Sequence, residues 1–109
     1  MAVTLEAFRE KYGVSTVKEY SFTVYDTPVL ILKNNPKRFE FVVVNLGSQP
    51  CNIAFSPSVS LTFGISVPAN GGIVSMRVEE DGQATCQEIY AISNAIGTTL
   101  YVQEYEAMK

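Results

Sequence analysis

The amino-acid sequence predicts an all-β fold, an antiparallel sandwich of two sheets with about eight strands. Short segments rich in β-branched and aromatic residues recur along the chain, and several alternate apolar with polar side chains. Turn-forming residues separate these segments at intervals of about 8 to 12 residues, which is typical of a jelly roll or an immunoglobulin-like Greek key. Because no helical pattern lies between the strands, a parallel sheet with crossover helices is excluded.

Residues 1–14 differ from the rest and are predicted to form a short helical arm. Thr4 is a candidate N-cap, and Leu5, Phe8 and Tyr12 recur at helical spacing. A helix of about two turns is not stable alone in water, so the arm must pack on another surface. That surface is either the open end of its own domain or a neighbouring subunit, and the sequence favours neither.

Residues 15–109 are predicted to form the sandwich domain, with residues 38–46 as its central strand. Phe39 and Phe41 alternate there with Arg38 and Glu40, and three valines follow. This pattern indicates a strand that enters a doubly covered interior. The other predicted strands cover residues 17–25, 29–32, 51–55, 65–68, 73–78, 86–93 and 98–105, and residues 56–64 are predicted to form a long loop or irregular edge.

The composition predicts one domain that binds protein rather than nucleic acid or membrane. A chain of 109 residues supports a single core. Since 47% of the residues are hydrophobic and only 17% are charged, some apolar surface is expected to face a partner or a second copy. A net charge of −3 disfavours binding to phosphate backbones. No apolar run reaches the ~20 residues of a membrane span, and residues 1–6 lack the features of a signal peptide.

Several charged residues are expected to lie on the surface without a chemical role. Lys33, Lys37 and Arg38 are close in sequence and are interpreted as a solvated turn. Three acidic residues before Gly82 (Glu79, Glu80 and Asp81) are interpreted as a solvated hairpin turn, since they lack the spacing of a calcium loop.

The sequence does not predict an enzyme, a metal site or a cofactor. It contains no histidine, which removes His-activated nucleophiles and the common zinc and iron ligand sets. Ser15 and Lys18 have the Ser-x-x-Lys spacing of penicillin-recognising enzymes, but that motif requires a helix. Cys51 and Cys86 are expected to be buried free thiols, with a single disulfide as the alternative.

Residues 34–105 resemble small structural proteins of tailed bacteriophages. The segments that carry the resemblance are turns and core strands: Asn35-Pro36-Lys37-Arg38, Val44-Asn45-Leu46-Gly47, Asn52-Ile53-Ala54-Phe55, Ser56-Pro57-Ser58-Val59, Gly64-Ile65-Ser66-Val67-Pro68, Gly71-Gly72, Glu88-Ile89-Tyr90-Ala91-Ile92-Ser93 and Leu100-Tyr101-Val102-Gln103-Glu104. Members of that group are β-sandwiches that decorate or cement capsids, or that belong to tails and fibres. None of these segments is a catalytic motif, so the resemblance supports architecture more than role.

The resemblance implies a capsid decoration or cement protein that binds and stabilises the assembled shell. The implied location is the virion, assembled in the host cytoplasm, and the implied partners are the major capsid protein or another virion protein, with homo-oligomerisation expected. Six residues are the expected partner contacts: Leu5, Phe8 and Tyr12 of the arm, and Val59, Leu61 and Phe63 of the loop. The alternative is a tail or fibre-head module that binds a receptor or glycan through Tyr and Asn side chains in its loops.

Overall fold

The computed structural model describes residues 15–107, which form eight strands and two short helical segments. The strands are β1 (Ser15–Val24), β2 (Val29–Leu32), β3 (Arg38–Asn45), β4 (Cys51–Ala54), β5 (Ile65–Val67), β6 (Gly72–Arg77), β7 (Ile89–Ile92) and β8 (Thr98–Ala107). Helix α1 (Val78–Asp81) and the 3-10 helix η1 (Gly82–Cys86) connect β6 to β7.

The strands form two four-stranded antiparallel sheets. The first sheet has the order β1-β8-β3-β6 and the second the order β2-β7-β4-β5. Edge strands β1 and β2 lie on one side of the sandwich, and β5 and β6 lie in contact on the opposite side. The predicted all-β sandwich and its strand number are therefore confirmed. The predicted helical arm, residues 1–14, lies outside the described residues.

The core lies between the two sheets and is built from inward-facing residues of both. Phe41, Val43, Leu100 and Val102 of the first sheet are completely buried. They pack with Cys51, Ile53, Val67, Ile89 and Ala91 of the second sheet. Burying one such aliphatic or aromatic side chain stabilises a fold by about 1.5–3 kcal/mol, so this layer supplies much of the stability.

A bulge in β3 changes the side-chain alternation predicted for its first half. The register between β3 and β8 shifts between Arg38 and Glu40, so Phe39 is the extra residue. Phe39 therefore packs against Tyr105, with ring centroids 6.0 Å apart, whereas Arg38 turns inward and is 1% exposed. The interpretation of Arg38 as part of a solvated turn was wrong, because the bulge reverses the face on which that residue lies.

The acidic segment after β6 forms a helix instead of the predicted hairpin turn. The Asp81 carboxylate accepts a hydrogen bond from the backbone N–H of Arg77, 2.9 Å away, and satisfies a donor at the helix start. Glu79, Glu80 and Asp81 lie in the first turn, where negative charge favours a helix. As a consequence, the strand predicted over residues 86–93 is shortened to Ile89–Ile92, and the expectation of no helix between strands was wrong.

Residues 55–64 form a loop that covers part of the outer face of the second sheet. Val59 is 3% exposed and packs with Ala54 and Ile92 of that face. The Asn52 amide donates a 2.9 Å hydrogen bond to the backbone oxygen of Ser60, which fixes the loop to β4. Gly64 ends the loop with φ 137°, and a Cβ there would lie 2.6 Å from the carbonyl oxygen of Ile53. Only glycine fits this close approach.

Both cysteines are free thiols, as predicted, but they differ in their surroundings. Cys51 is completely buried in β4, whereas Cys86 ends η1 and is half-buried. Burial raises the pKa of the Cys51 thiol to about 11. The Cys86 Sγ lies 3.0 Å from the carbonyl oxygen of Arg38, to which it can donate.

We expect Cys51 to make the protein less stable as the pH rises from about 9 to about 11. The unfolded chain loses the thiol proton first, near the ordinary pKa of 9.0, while the folded chain keeps it until about 11. The stabilisation that the protonated Cys51 thiol provides is therefore complete below pH 9 and is lost as the pH rises to 11. The loss in the free energy of unfolding is on the order of 2 kcal/mol. Thermal unfolding between pH 8 and 11 should show a steeper loss for the wild type than for Cys51→Ala. Equal slopes would contradict this prediction.

Candidate functional site

A groove of about 520 Å³ lies between the edge strands β1 and β2, where the two sheets are open to one side. Alternate residues of β1 (Lys18, Tyr20 and Phe22) form one wall. Residues 30–32 of β2 form the other wall and are all aliphatic. The groove is therefore apolar along its length, with a polar end where Lys33, Asn35 and Glu104 approach it.

The polar end of the groove is built on a buried ion pair between Arg38 and Glu104. The Arg38 Nη2 and Nε atoms lie 2.6 and 2.7 Å from the Glu104 Oε2 atom. Tyr20 donates a 3.0 Å hydrogen bond to the second carboxylate oxygen, and the Asn35 amide donates one of 3.2 Å to the first. Burial raises the pKa of Tyr20, and its hydrogen bond to the carboxylate adds to this increase.

The remaining donors of Arg38 bind three backbone carbonyl oxygens. Nη1 donates to Thr85 and Gln87 at 3.1 and 3.0 Å, and Nη2 donates to Lys33 at 2.6 Å. All five N–H groups of the guanidinium are thus satisfied. The side chain joins β3 and β8 to the residue after β2, to η1 and to the residue after η1. Its role is therefore to position these segments, and its charge is already neutralised by Glu104.

A second, more exposed ion pair lies beside the groove. Lys18 Nζ is 3.1 Å from the Glu106 carboxylate, which also accepts a 3.0 Å hydrogen bond from Asn35. The Lys18 hydrogen bond, followed by the Asn35 hydrogen bond, lowers the pKa of Glu106, and the same ion pair raises the pKa of Lys18. Lys33, next to the groove, has an exposed side chain.

The outer face of the first sheet carries a row of polar and aromatic side chains along β8. Gln103 donates to the Tyr101 hydroxyl at 2.8 Å and accepts from the Tyr105 hydroxyl at 3.2 Å, and Tyr101 in turn donates to Glu19 of β1. The hydrogen bond to Glu19 raises the pKa of Tyr101. Tyr101 and Tyr105 of this surface therefore lie on strand β8. A fibre-head module was expected to present its tyrosines in loops.

Large apolar side chains are exposed on the side of the sandwich formed by β5 and β6. Phe63 is 57% exposed, and Leu61 and Ile65 are also exposed. Ile73 of β6 is 61% exposed and lies on the outer face of the first sheet, because its neighbour Val74 packs against the core. Helix α1 continues from the end of β6 and presents three exposed acidic residues, Glu79, Glu80 and Asp81. This side therefore combines apolar and negatively charged surface.

The structure separates the predicted contact residues into three groups. Leu5, Phe8 and Tyr12 lie outside the described residues. Leu61 and Phe63 are exposed, as a partner contact requires, whereas Val59 is buried beneath its own loop. Val59 therefore anchors the loop, and its two apolar neighbours are the ones presented to the surroundings.

Sequence patterns did not reveal the groove or the ion pair. Arg38 and Glu104 are 66 residues apart in the chain. The alternation of the strand that contains Glu104 predicted the face on which this residue lies, but not its partner. One signal for the ion pair was available in β8. Its alternation places Glu104 on the inward face, whereas Tyr101 and Gln103 lie on the outward face. A charged residue on the apolar face of a strand requires a buried partner.

Residues 15–107 contain no group of three or more acidic or cysteine side chains placed to hold a metal ion. Within the same range, no helix is long and apolar enough to cross a membrane. Ser15 and Lys18 lie in strand β1, so the Ser-x-x-Lys spacing does not have the helical setting that its chemistry needs.

The chain is similar in fold to a solved protein from Bacillus endospore appendages, which are described as a novel family of disulfide-linked pili. The TM-score is 0.54 at 14% sequence identity, and the match covers 88% of each chain. At this identity the likeness shows the fold alone. No family model matches the chain, and no curated protein matches it.

Proposed function

We propose that this protein is a non-enzymatic structural subunit that binds other subunits of a large particle through its surfaces. The observation that carries the proposal is the exposed apolar surface at β5 and the loop before it, where Leu61, Phe63 and Ile65 are accessible. Apolar patches of this kind mark protein interaction sites on soluble domains. The absence of histidine from the sequence removes the commonest general base, which supports a role without catalysis.

The specific form that we propose is a decoration or cement protein of a tailed-phage shell, located in the virion. The resemblance of residues 34–105 to phage structural proteins supports it, as does the strand order. An eight-stranded sandwich in which β1-β8-β3-β6 faces β2-β7-β4-β5 has the order expected of a jelly roll, the topology that we propose for this domain. Jelly rolls are frequent in capsids, although fold by itself does not determine function.

A subunit of this kind would stabilise the shell by mass action. A protein that binds the assembled shell and not the free capsid subunits lowers the free energy of the assembled state, and the effect grows with its concentration. The contacts that we propose on the described residues are Leu61 and Phe63. The arm residues Leu5, Phe8 and Tyr12 remain proposed contacts as well.

Co-sedimentation with empty shells and with isolated tails tests this function. We expect the wild type to sediment with shells, and the double variant Leu61→Ser/Phe63→Ser to lose binding by at least about tenfold, since it removes two apolar contacts. Ile96→Ser is the matched control, because Ile96 is 74% exposed but lies in the β7–β8 turn. Binding to tails alone would favour the fibre module, and binding to neither particle would contradict the proposal.

A second candidate, a subunit of a pilus-like appendage, is favoured by the fold likeness to the endospore appendage protein. This chain has only two cysteines, and Cys51 is completely buried with a thiol pKa of about 11. A disulfide between copies would have to use Cys86, and one accessible thiol per chain links two copies at most. An appendage built from this chain would therefore be held together by non-covalent contacts between subunits.

A further inference from the structure

The two open sides of the sandwich differ in charge and shape, and we propose that they bind each other. The β5–β6 side of one copy docks on the β1–β2 side of the next, so that both sheets continue from copy to copy. The partner is a second copy of this chain, and the inference specifies the self-association of the structural subunit proposed above, on which it rests. Three features of the described residues support this head-to-tail contact.

The first feature is the direction of the edge strands. Every neighbouring pair in both sheets is antiparallel, so β1 and β6 at opposite edges of the first sheet run in opposite directions. The same holds for β2 and β5 in the second sheet. A second copy placed beside the first in the same orientation therefore brings β6 next to β1, and β5 next to β2, as further antiparallel pairs. Unpaired edge strands are ready templates for such pairing.

The second feature is charge. Helix α1, directly after β6, presents Glu79, Glu80 and Asp81, whereas two lysines flank the groove on the opposite side: Lys33, which is exposed, and Lys18, which is paired with Glu106. In the register across the first sheet, Arg77 of β6 lies in the same row as Glu40, Tyr105 and Val17. Continuing that row into the next copy places Arg77 beside Val17 and brings α1 to the end of β1 that carries Lys18. A two-fold pairing of β1 with β1, or of β6 with β6, would not bring α1 to the lysines and would lack this contact between opposite charges.

The third feature is the fit of apolar surface. Phe63 and Ile65 are exposed at β5, and the groove between β1 and β2 has apolar walls that include Phe22 and Leu30. Its volume of about 520 Å³ accepts an aromatic side chain. A fully buried aromatic side chain removes about 150–250 Å² from water, which makes Phe63 the expected anchor of the contact.

The contact joins two different surfaces, so every added copy leaves one side of each kind free. Such an interface produces rings if the rotation between copies closes, and open filaments if it does not. Association would therefore continue beyond a dimer, unlike a two-fold interface, which ends there.

Charge reversal with mixing tests the contact in solution. Lys33→Glu and Glu79→Lys/Glu80→Lys are each expected to weaken self-association at least about tenfold in sedimentation velocity, since like charges then face each other. An equimolar mixture of the two variants should regain it. Glu88→Lys, compared with the single variant Glu79→Lys, is the matched control: both change the net charge by the same amount, but Glu88 precedes the interior strand β7 and its replacement leaves α1 acidic, so it should associate like the wild type. Measurement at 0.15 M salt limits the influence of net charge to about 8 Å.

Cysteine cross-linking tests the register. In a Cys86→Ser background, Val17→Cys and Arg77→Cys should form a disulfide-linked pair when mixed, and neither variant should do so alone. Cross-linking of Val17→Cys with itself would indicate a two-fold β1 pair and would overturn the inference. In the charge-reversal experiment, a mixture of the two variants that fails to associate would also overturn it. A wild type that stays monomeric at millimolar concentration yet sediments with shells would overturn the head-to-tail contact and leave the structural function standing.

Discussion

Replacing Arg38 by alanine is expected to lower the free energy of unfolding by about 3–5 kcal/mol, because it leaves the carboxylate of Glu104 buried without its counter-charge. The side chain of Arg38 is fully buried and that of Glu104 is 6% exposed, so water cannot replace the guanidinium without opening the fold. The carbonyl oxygens of Lys33, Thr85 and Gln87 lose their donor in the same step. Urea denaturation followed by circular dichroism measures the difference.

Two further variants separate a buried charge from a general loss of packing. Lys18→Ala removes the exposed ion pair to Glu106, and its denaturation midpoint should match that of the wild type, because exposed ion pairs contribute little. Arg38→Met/Glu104→Leu removes both buried charges, and it should be more stable than Arg38→Ala alone. If Arg38→Ala cost less than about 1 kcal/mol, the ion pair would not hold β3 and β8 together as we infer.

The buried ion pair also shows what could be predicted from the sequence and what could not. Period-two alternation identified β3, because the pleat places alternate side chains on opposite faces. A bulge at Phe39 shifts that alternation by one position, and the sequence carries no local mark of it. Arg38 was therefore assigned to solvent when it is completely enclosed. Its partner Glu104 is brought close only by the pairing of β3 with β8.

The segment after β6 illustrates a competition between turn and helix. Glu79, Glu80, Asp81 and Gly82 fit an acidic hairpin turn by composition. The same acidic residues stabilise the first turn of a helix, and the hydrogen bond from the Arg77 N–H to Asp81 favours the helix. A helix of four residues makes only about one turn, so its sequence shows no repeating helical pattern that could be recognised. The sandwich itself was predicted well, because its strands and turns are local features.

The candidate site was predicted only in part for a similar reason. Exposed apolar residues in the 56–64 loop were expected, and Leu61 and Phe63 are accessible. Whether a loop residue faces its own sheet or the surroundings depends on the fold of the loop, which buries Val59 against Ala54 and Ile92. The groove between β1 and β2 depends on how two distant edges align, and such alignment is not encoded in either segment alone.

Asn45→Asp is expected to cost about 3 kcal/mol or more at neutral pH, although it changes only one atom of the side chain. Asn45 is completely buried at the opposite end of β3 from Arg38. Its amide nitrogen donates to the carbonyl oxygens of Gln49 and Val67 at 2.8 and 3.1 Å, so it ties the first sheet to β5 in the second. Its oxygen accepts from the Gly47 N–H at 3.1 Å and from the Thr98 hydroxyl at 2.6 Å. All its hydrogen-bonding groups are thus in use.

The substitution replaces the amide nitrogen by an oxygen that faces two carbonyl oxygens in a dry interior. The introduced carboxyl group therefore favours its protonated form in the folded chain, which raises its pKa above the unfolded value of about 4. The destabilisation should be largest at neutral pH and should shrink as the pH falls to about 4 and below, where the carboxyl group becomes protonated in the unfolded chain as well. Asn94→Asp is the matched control, because Asn94 also donates to Gln49 but is only half-buried, and it should cost less than about 1 kcal/mol. Equal costs for the two variants, or a cost for Asn45→Asp that does not change with pH, would show that Asn45 is not the buried link between the sheets.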